Sequence, residues 1–272
     1  MKCLFATNVQ EEKWGLKMLK VGKDYIKNSI SHIFEVNLHH KINIRISNHH
    51  KIVYIDNFYK RPHLVREFLL KTPAIARKNM LTNPENYLIG SRAVIDFKDK
   101  STIWEYIYHL IIKEFDIDPK DLDYENRFIS NIYAQFDIDD DTELLKKQYD
   151  YNMNPHFDQC MAATVWLNTK DECNGGTAFY RNTRYNASDL LDLDDYDHYM
   201  EIKKEYIKGV TDDWEVIDML EMKYNRMYIY NACRYHNPYI EDNWFKDCYR
   251  ISQQFFFDID DTKLYKNFKR WI

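Results

Sequence analysis

The triplet His156-Phe157-Asp158, a second histidine at His236 and the tripeptide Arg250-Ile251-Ser252 constrain this chain more than any other feature. Residues two apart on a β-strand point to one face, so His156 and Asp158 can offer a nitrogen and an oxygen to one ion from a single strand. His236 must then arrive on a strand distant in sequence and adjacent in space. Two imidazoles and one carboxylate on one face of an octahedron leave three positions open, which is what a catalytic ion needs. Such a set demands a β-rich fold whose non-neighbouring strands converge.

Composition narrows the classes further. The 272 residues include 22 Tyr and 15 Phe but only six Gly and six Pro, which suits a packed globular chain and argues against disorder. The length accommodates one large domain with a substantial core, and the chain reads as a single domain over 1–272. Net charge is −5 and the sequence pI about 6.1, so no chain-wide positive field favours nucleic acid or an anionic membrane. The five cysteines, at 3, 160, 173, 233 and 248, form no Cys-x-x-Cys pair, and Cys160 reads as a buried thiol. No apolar run reaches the ~18 residues of a membrane span, and Met1–Thr7 is too short and soon too polar for a secretory signal. The expectation is a soluble cytoplasmic protein.

Along the chain, Ile42-Asn43-Ile44-Arg45-Ile46 alternates as an early strand or hairpin does. The flanking pairs His39-His40 and His49-His50 read as surface residues, because neighbours on a strand point to opposite faces. Pro62 and Pro73 bracket a helix. From Thr102, with Glu105 as its capping partner, Ile103, Ile107, Leu110, Ile111 and Phe115 recur at helical spacing. Their stripe should pack on the outside of a sheet, and His109 reads as a helix-face or core histidine rather than a ligand. Residues 1–126 thus supply strands and supporting helices.

From residue 128 onward strand patterns dominate. Ala163–Asn168 and Gly175–Tyr180 read as the two strands of a hairpin, the glycines supplying positive φ or a bulge. Asp137–Glu143 has the charge of a calcium loop but lacks its glycine and its glutamate at position twelve, so it reads as a solvated acidic loop. Ser188–Lys208, within an insertion spanning about 185–210, carries apolar residues at helical spacing. It is either a lid at the mouth of the site or a plain surface insertion.

His-x-Asp, Thr164-x-x-Leu167-Asn168 in its strand, Gly175-Gly176-Thr177-x-Phe179, the distal His236 and Arg250-x-Ser252 follow one another in an order that resembles the 2-oxoglutarate and Fe(II)-dependent dioxygenases, particularly their prolyl-hydroxylase-like branch. Phe128–Tyr133 resembles the strand ahead of the His-x-Asp strand, Asn225–Asn231 resembles the strand leading to the distal histidine, and Ile55-Asp56-Asn57-Phe58-Tyr59 resembles a related uncharacterised subgroup. The interval from His236 to Arg250 is longer than usual for the family, as is the segment 181–223.

The resemblance implies a mainly β fold with flanking helices, a double-stranded β-helix (jelly roll, cupin-like) over 127–257. It implies Fe(II) held by His156, Asp158 and His236, and 2-oxoglutarate held by Arg250, Ser252 and Tyr133. O2 as oxidant and release of succinate and CO2 with hydroxylation of a substrate complete the implied reaction. A guanidinium suits the far carboxylate of 2-oxoglutarate because it pairs with it in bidentate geometry. Halogenating members carry a small residue where Asp158 stands, so Asp158 implies hydroxylation. Two alternatives stay open: an inactive jelly-roll binding or structural protein, and a cupin-like metalloenzyme without 2-oxoglutarate. The substrate is a small molecule or a peptide side chain, and the acidic segments suggest a cationic or neutral one.

Overall fold

A computed structural model describes residues 33–71, 75–76, 91–96, 102–122, 133–139, 155–158, 160–189, 192, 212–241, 244–245 and 247–258. Eight strands form one antiparallel sheet: β1 (Ile42–Ser47), β2 (His50–Ile55), β3 (Ile75–Ala76), β4 (Ser91–Asp96), β5 (Tyr133–Asp139), β6 (Cys160–Trp166), β9 (Met227–Asn231) and β11 (Arg250–Asp258). Their order is β1-β2-β9-β6-β11-β5-β4-β3. A second antiparallel sheet holds β7 (Gly176–Asn182), β8 (Trp214–Glu221) and β10 (His236–Tyr239) in the order β10-β7-β8. Two helices, α1 (Pro62–Lys71) and α2 (Thr102–Phe115), lie where the prolines and the apolar periodicity place them.

Alternation along the central strands divides the core in two. Val53, Met161, Val165, Met227, Ile229 and Phe257 face outward and bury the apolar stripe of α2. Ile103, Ile107, Leu110, Ile111 and Phe115 of that stripe are together worth on the order of 7–15 kcal/mol of burial before chain entropy is charged against them. The other face of the same strands, Ile52, Ala162, Trp166, Tyr228 and Tyr230, meets Phe179 and Leu220 of the small sheet. β9 is consequently buried at all five positions.

β1 and β2 form the early hairpin, closed by Asn48 and His49, both at positive φ as a two-residue hairpin turn requires. His49 sits in that turn, while the His40 ring contacts the Asn37 carbonyl and the Tyr106 hydroxyl of α2. His50 lies 2.9 Å from Asp189, and His39 and His49 are exposed. His109 is exposed on α2.

The hairpin expected between Ala163–Asn168 and Gly175–Tyr180 does not form. β6 pairs with β9 and β11, whereas β7 pairs with β10 and β8 in the other sheet. The glycine corner explains the crossover. Gly175 has φ +63° and Gly176 φ +154°, and a Cβ at either would stand 2.1 Å from the Tyr239 carbonyl oxygen or 1.9 Å from that of Leu220. The corner is pressed against β10 and β8, and only glycine lets it approach them.

Asp137–Asp139, expected in an acidic loop, instead end β5 and pair with β11, while the rest of that loop and Phe128–Ile132 lie outside the described residues, as does the expected insertion at 185–210 except for residues 185–189 and Asp192. Among the described residues no helix is long and apolar enough to cross a membrane.

Candidate metal centre

Asn225 opens the segment that delivers the distal histidine. Its buried side chain accepts from the Tyr59 amide at 2.8 Å and donates to the Tyr59 carbonyl at 2.9 Å, fastening β9 to the chain after β2. β9 then runs through the core, turns at Ala232–Tyr235 and enters β10 at His236. His156 meets it there: each residue's amide donates to the other's carbonyl, at 3.0 and 2.7 Å. A reciprocal antiparallel pair places both side chains on one side of the strands. The two imidazole centroids are 4.7 Å apart. The Asp158 amide donates to the Ala232 carbonyl at 2.8 Å, fixing the carboxylate in the same register.

Ligand atoms of His156, Asp158 and His236 all lie within 4.8 Å of one another, and His236 Nε2 is 3.6 Å from Asp158 Oδ2. An ion with bonds of about 2.1 Å to each needs neighbouring donors about 3 Å apart, a contraction that side-chain rotation supplies. Among the described residues no other set of three such side chains converges in this way.

Hydrogen bonding settles the tautomer of His236. Its Nδ1 is 2.7 Å from the Arg234 carbonyl, which can only accept, so Nδ1 carries the proton. In the neutral ring Nε2 then presents a lone pair toward the Asp158 carboxylate. Two electron-rich atoms facing each other in a mostly buried site call for a cation or a proton between them. A ring oriented through its second nitrogen is the ordinary arrangement of a metal-bound imidazole. Burial opposes ionisation of Asp158, but its contact with His236 and the charges of both imidazoles outweigh that and hold the carboxyl below its usual range. The carboxylate is thus in its ligating form at neutral pH.

Arg250 and Ser252 share the inner face of β11 and are buried, at 3% and 0% exposure. They belong to a different part of the sheet from the triad: Ser252 pairs with Trp166 at the far end of β6, and Asp258 with Cys160 at its start. Thr164 donates to Gln254 at 2.6 Å and Gln254 donates to Ser252 at 3.1 Å, so a polar row crosses the inner face beside Arg250. Asn168 clamps the backbone on either side of Arg250, donating to the Tyr249 carbonyl at 2.6 Å and accepting from the Ile251 amide at 2.8 Å. Tyr133 is the first residue of β5, paired with Asp96, and its side chain lies outside the described residues, as does that of Cys160.

Two further side chains escaped sequence reasoning. The indole nitrogen of Trp166, across from Ser252, is buried with no acceptor among the described residues. Arg234 is fully buried beside His236 and stacks on Phe179, its Cζ 3.8 Å from the ring centroid. Burial lowers its pKa to about 10, against the opposing charges of Asp218 and Asp189. No sequence signal distinguishes these residues from ordinary core and surface positions.

No curated protein matches the chain. Residues 37–247, more than half of the 272, match the model of a family described as Family of unknown function (DUF6445), a span that includes the triad and ends just before β11. The chain therefore belongs to this family of unknown function.

Proposed function

We propose that the protein is an Fe(II)- and 2-oxoglutarate-dependent oxygenase that hydroxylates its substrate, built on a jelly roll. The observation that carries the reading is the convergence of His236 Nε2, the Asp158 carboxylate and His156, a donor set of two imidazoles and one carboxylate. The absence of a thiolate among these donors suits Fe(II). Strand order supports the jelly roll: from β5 onward the chain passes through the large sheet, the His156 bridge to the small sheet, β6 in the large, β7 and β8 in the small, β9 in the large, β10 in the small and β11 in the large.

Bound there, iron with 2-oxoglutarate and O2 would supply the oxidising power for hydroxylation and release succinate and CO2. The chain's own residues do the rest. His156, Asp158 and His236 would hold the ion. Arg250, clamped by Asn168, and Ser252 receive the far carboxylate of 2-oxoglutarate inside the barrel, where a desolvated anion needs a guanidinium partner. Asp158 occupies the position that halogenation would need open, which favours hydroxylation.

Anaerobic titration of metal-free protein with Fe(II) and 2-oxoglutarate tests this, read by the visible charge-transfer band of the chelated cosubstrate. The band is expected in the wild type, absent in His236→Ala, and reached only at much higher 2-oxoglutarate in Arg250→Ala. Folded, metal-bound wild type without a band would sink the cosubstrate reading and leave a metal-binding β protein.

A further inference from the structure

Arg234 is the second largest fully buried side chain among the described residues, and no group among them hydrogen-bonds its Nε, Nη1 or Nη2. An unpaired charge in that position costs several kcal/mol that a methionine of similar volume would not. The carboxylates nearby are already engaged. Asp218 takes both Nη atoms of Arg45 at 3.0 Å and the Ser47 hydroxyl, and Asp189 lies 2.9 Å from His50 Nε2.

What the guanidinium does touch is the face of Phe179, which leaves its N–H edges available in the plane. That ring stands directly across from His236, centroids 6.5 Å apart, and the Arg234 carbonyl is the group that orients His236. The cation is therefore built into the same stretch of backbone as a metal ligand. It also lies apart from Arg250. Arg250 sits on β11 between β5 and β6, whereas Arg234 lies beside β7, near the Arg45–Asp218 pair that joins β1 to β8.

We propose that Arg234 receives an oxyanion, carboxylate or phosphate, of the primary substrate, and so decides which part of that substrate faces the triad. The proposal rests on the oxygenase reading only in assigning the anion to a substrate; the receptor itself stands on a buried guanidinium with no hydrogen-bond partner among the described residues. It also reverses the expectation from the acidic segments of a cationic or neutral substrate.

Calorimetry with acetate and with inorganic phosphate, on metal-free protein and again with Mn(II) and 2-oxoglutarate present, tests it. Saturable binding of one of the two anions is expected, persisting when 2-oxoglutarate is bound. Arg234→Met should weaken it by roughly tenfold to a hundredfold, the equivalent of losing a hydrogen bond to a charged group, and Arg234→Lys by less. Because an unpaired charge is removed, Arg234→Met should melt at the same temperature as the wild type or higher.

The proposal is overturned if neither anion binds the wild type, if Arg234→Met binds as well as wild type, or if that variant melts more than about 5 °C lower, which would make the guanidinium a structural member. Displacement of the anion from the wild type by 2-oxoglutarate would also overturn it, assigning the cation to the cosubstrate, and this measurement needs no variant to fold. Anion binding that survives where the charge-transfer band is missing would remove the oxygenase reading and keep the receptor; a band without anion binding would remove the receptor alone.

Discussion

Asp158→Asn separates a metal centre from a structural cluster. In the wild type the carboxylate faces His236 Nε2 at 3.6 Å, with His156 alongside. An ion that binds the native state at a hundred times its dissociation constant stabilises it by about 2.7 kcal/mol. For a chain of this size that is a rise of roughly 5–11 °C in the thermal midpoint. Asparagine keeps the shape but gives up the charge, and a loss of a hundredfold or more in affinity leaves at most about 0.4 kcal/mol at the same ion concentration, roughly 1 °C. The assay is thermal unfolding under anaerobic conditions with Fe(II), and with Mn(II) and Co(II) as redox-stable substitutes. A metal-dependent rise of equal size in wild type and Asp158→Asn, or no rise in the wild type with any of the three ions, would refute the argument.

Asn168→Ala strands the buried Ile251 amide and the Tyr249 carbonyl. It should cost roughly 2–4 kcal/mol in urea unfolding and weaken 2-oxoglutarate binding while metal affinity is retained, so an unchanged midpoint would contradict the clamp. Gly176→Ala places a Cβ 1.9 Å from the Leu220 carbonyl oxygen at φ +154°. Backbone strain of about 1–3 kcal/mol plus displacement of β8 should lower the thermal midpoint by several degrees, and an unaltered melt would show that the corner tolerates a side chain. The hydrogen bonds and charge of Arg226 hold the Asp56 carboxyl below the usual 3.8, at 2.7 and 2.9 Å. As pH falls the unfolded chain takes up that proton first, so this contribution is complete above about pH 4 and is lost as pH drops through the lower folded value. Urea midpoints from pH 6 to 3 should fall less steeply in Asp56→Asn than in wild type, and parallel curves would exclude the pair as a source of acid sensitivity.

The elements that local patterning can encode were legible. Pro62 and the Ile103–Phe115 stripe mark α1 and α2, and the alternation around Ile44 marks the first hairpin, because each signal lies within a few residues of the structure it specifies. The three side chains that converge were picked out for another reason: His-x-Asp is common by chance, and it is the order of the motifs around it, with a distal histidine, that singled it out. Pairing partners were not legible. β6 and β7 are neighbours in sequence and belong to different sheets, because strand pairing is decided by which edges meet across the core, and the signal at Gly175-Gly176 specifies a close approach without saying to what. The central strands add to the difficulty. Buried on both faces, they lose the alternation that marks a half-exposed strand.

The sequence by itself determined the donors, the helices, the glycine corner and the charge of the chain. Tertiary structure alone decided that His156 and His236 exchange backbone hydrogen bonds, that Asn168 grips the backbone on either side of Arg250, and that Arg234 is buried rather than solvated. The physical reason is range. Propensity, capping and turn chemistry act over a few residues, whereas burial and the orientation of an imidazole or a guanidinium depend on groups brought together from dozens of residues away.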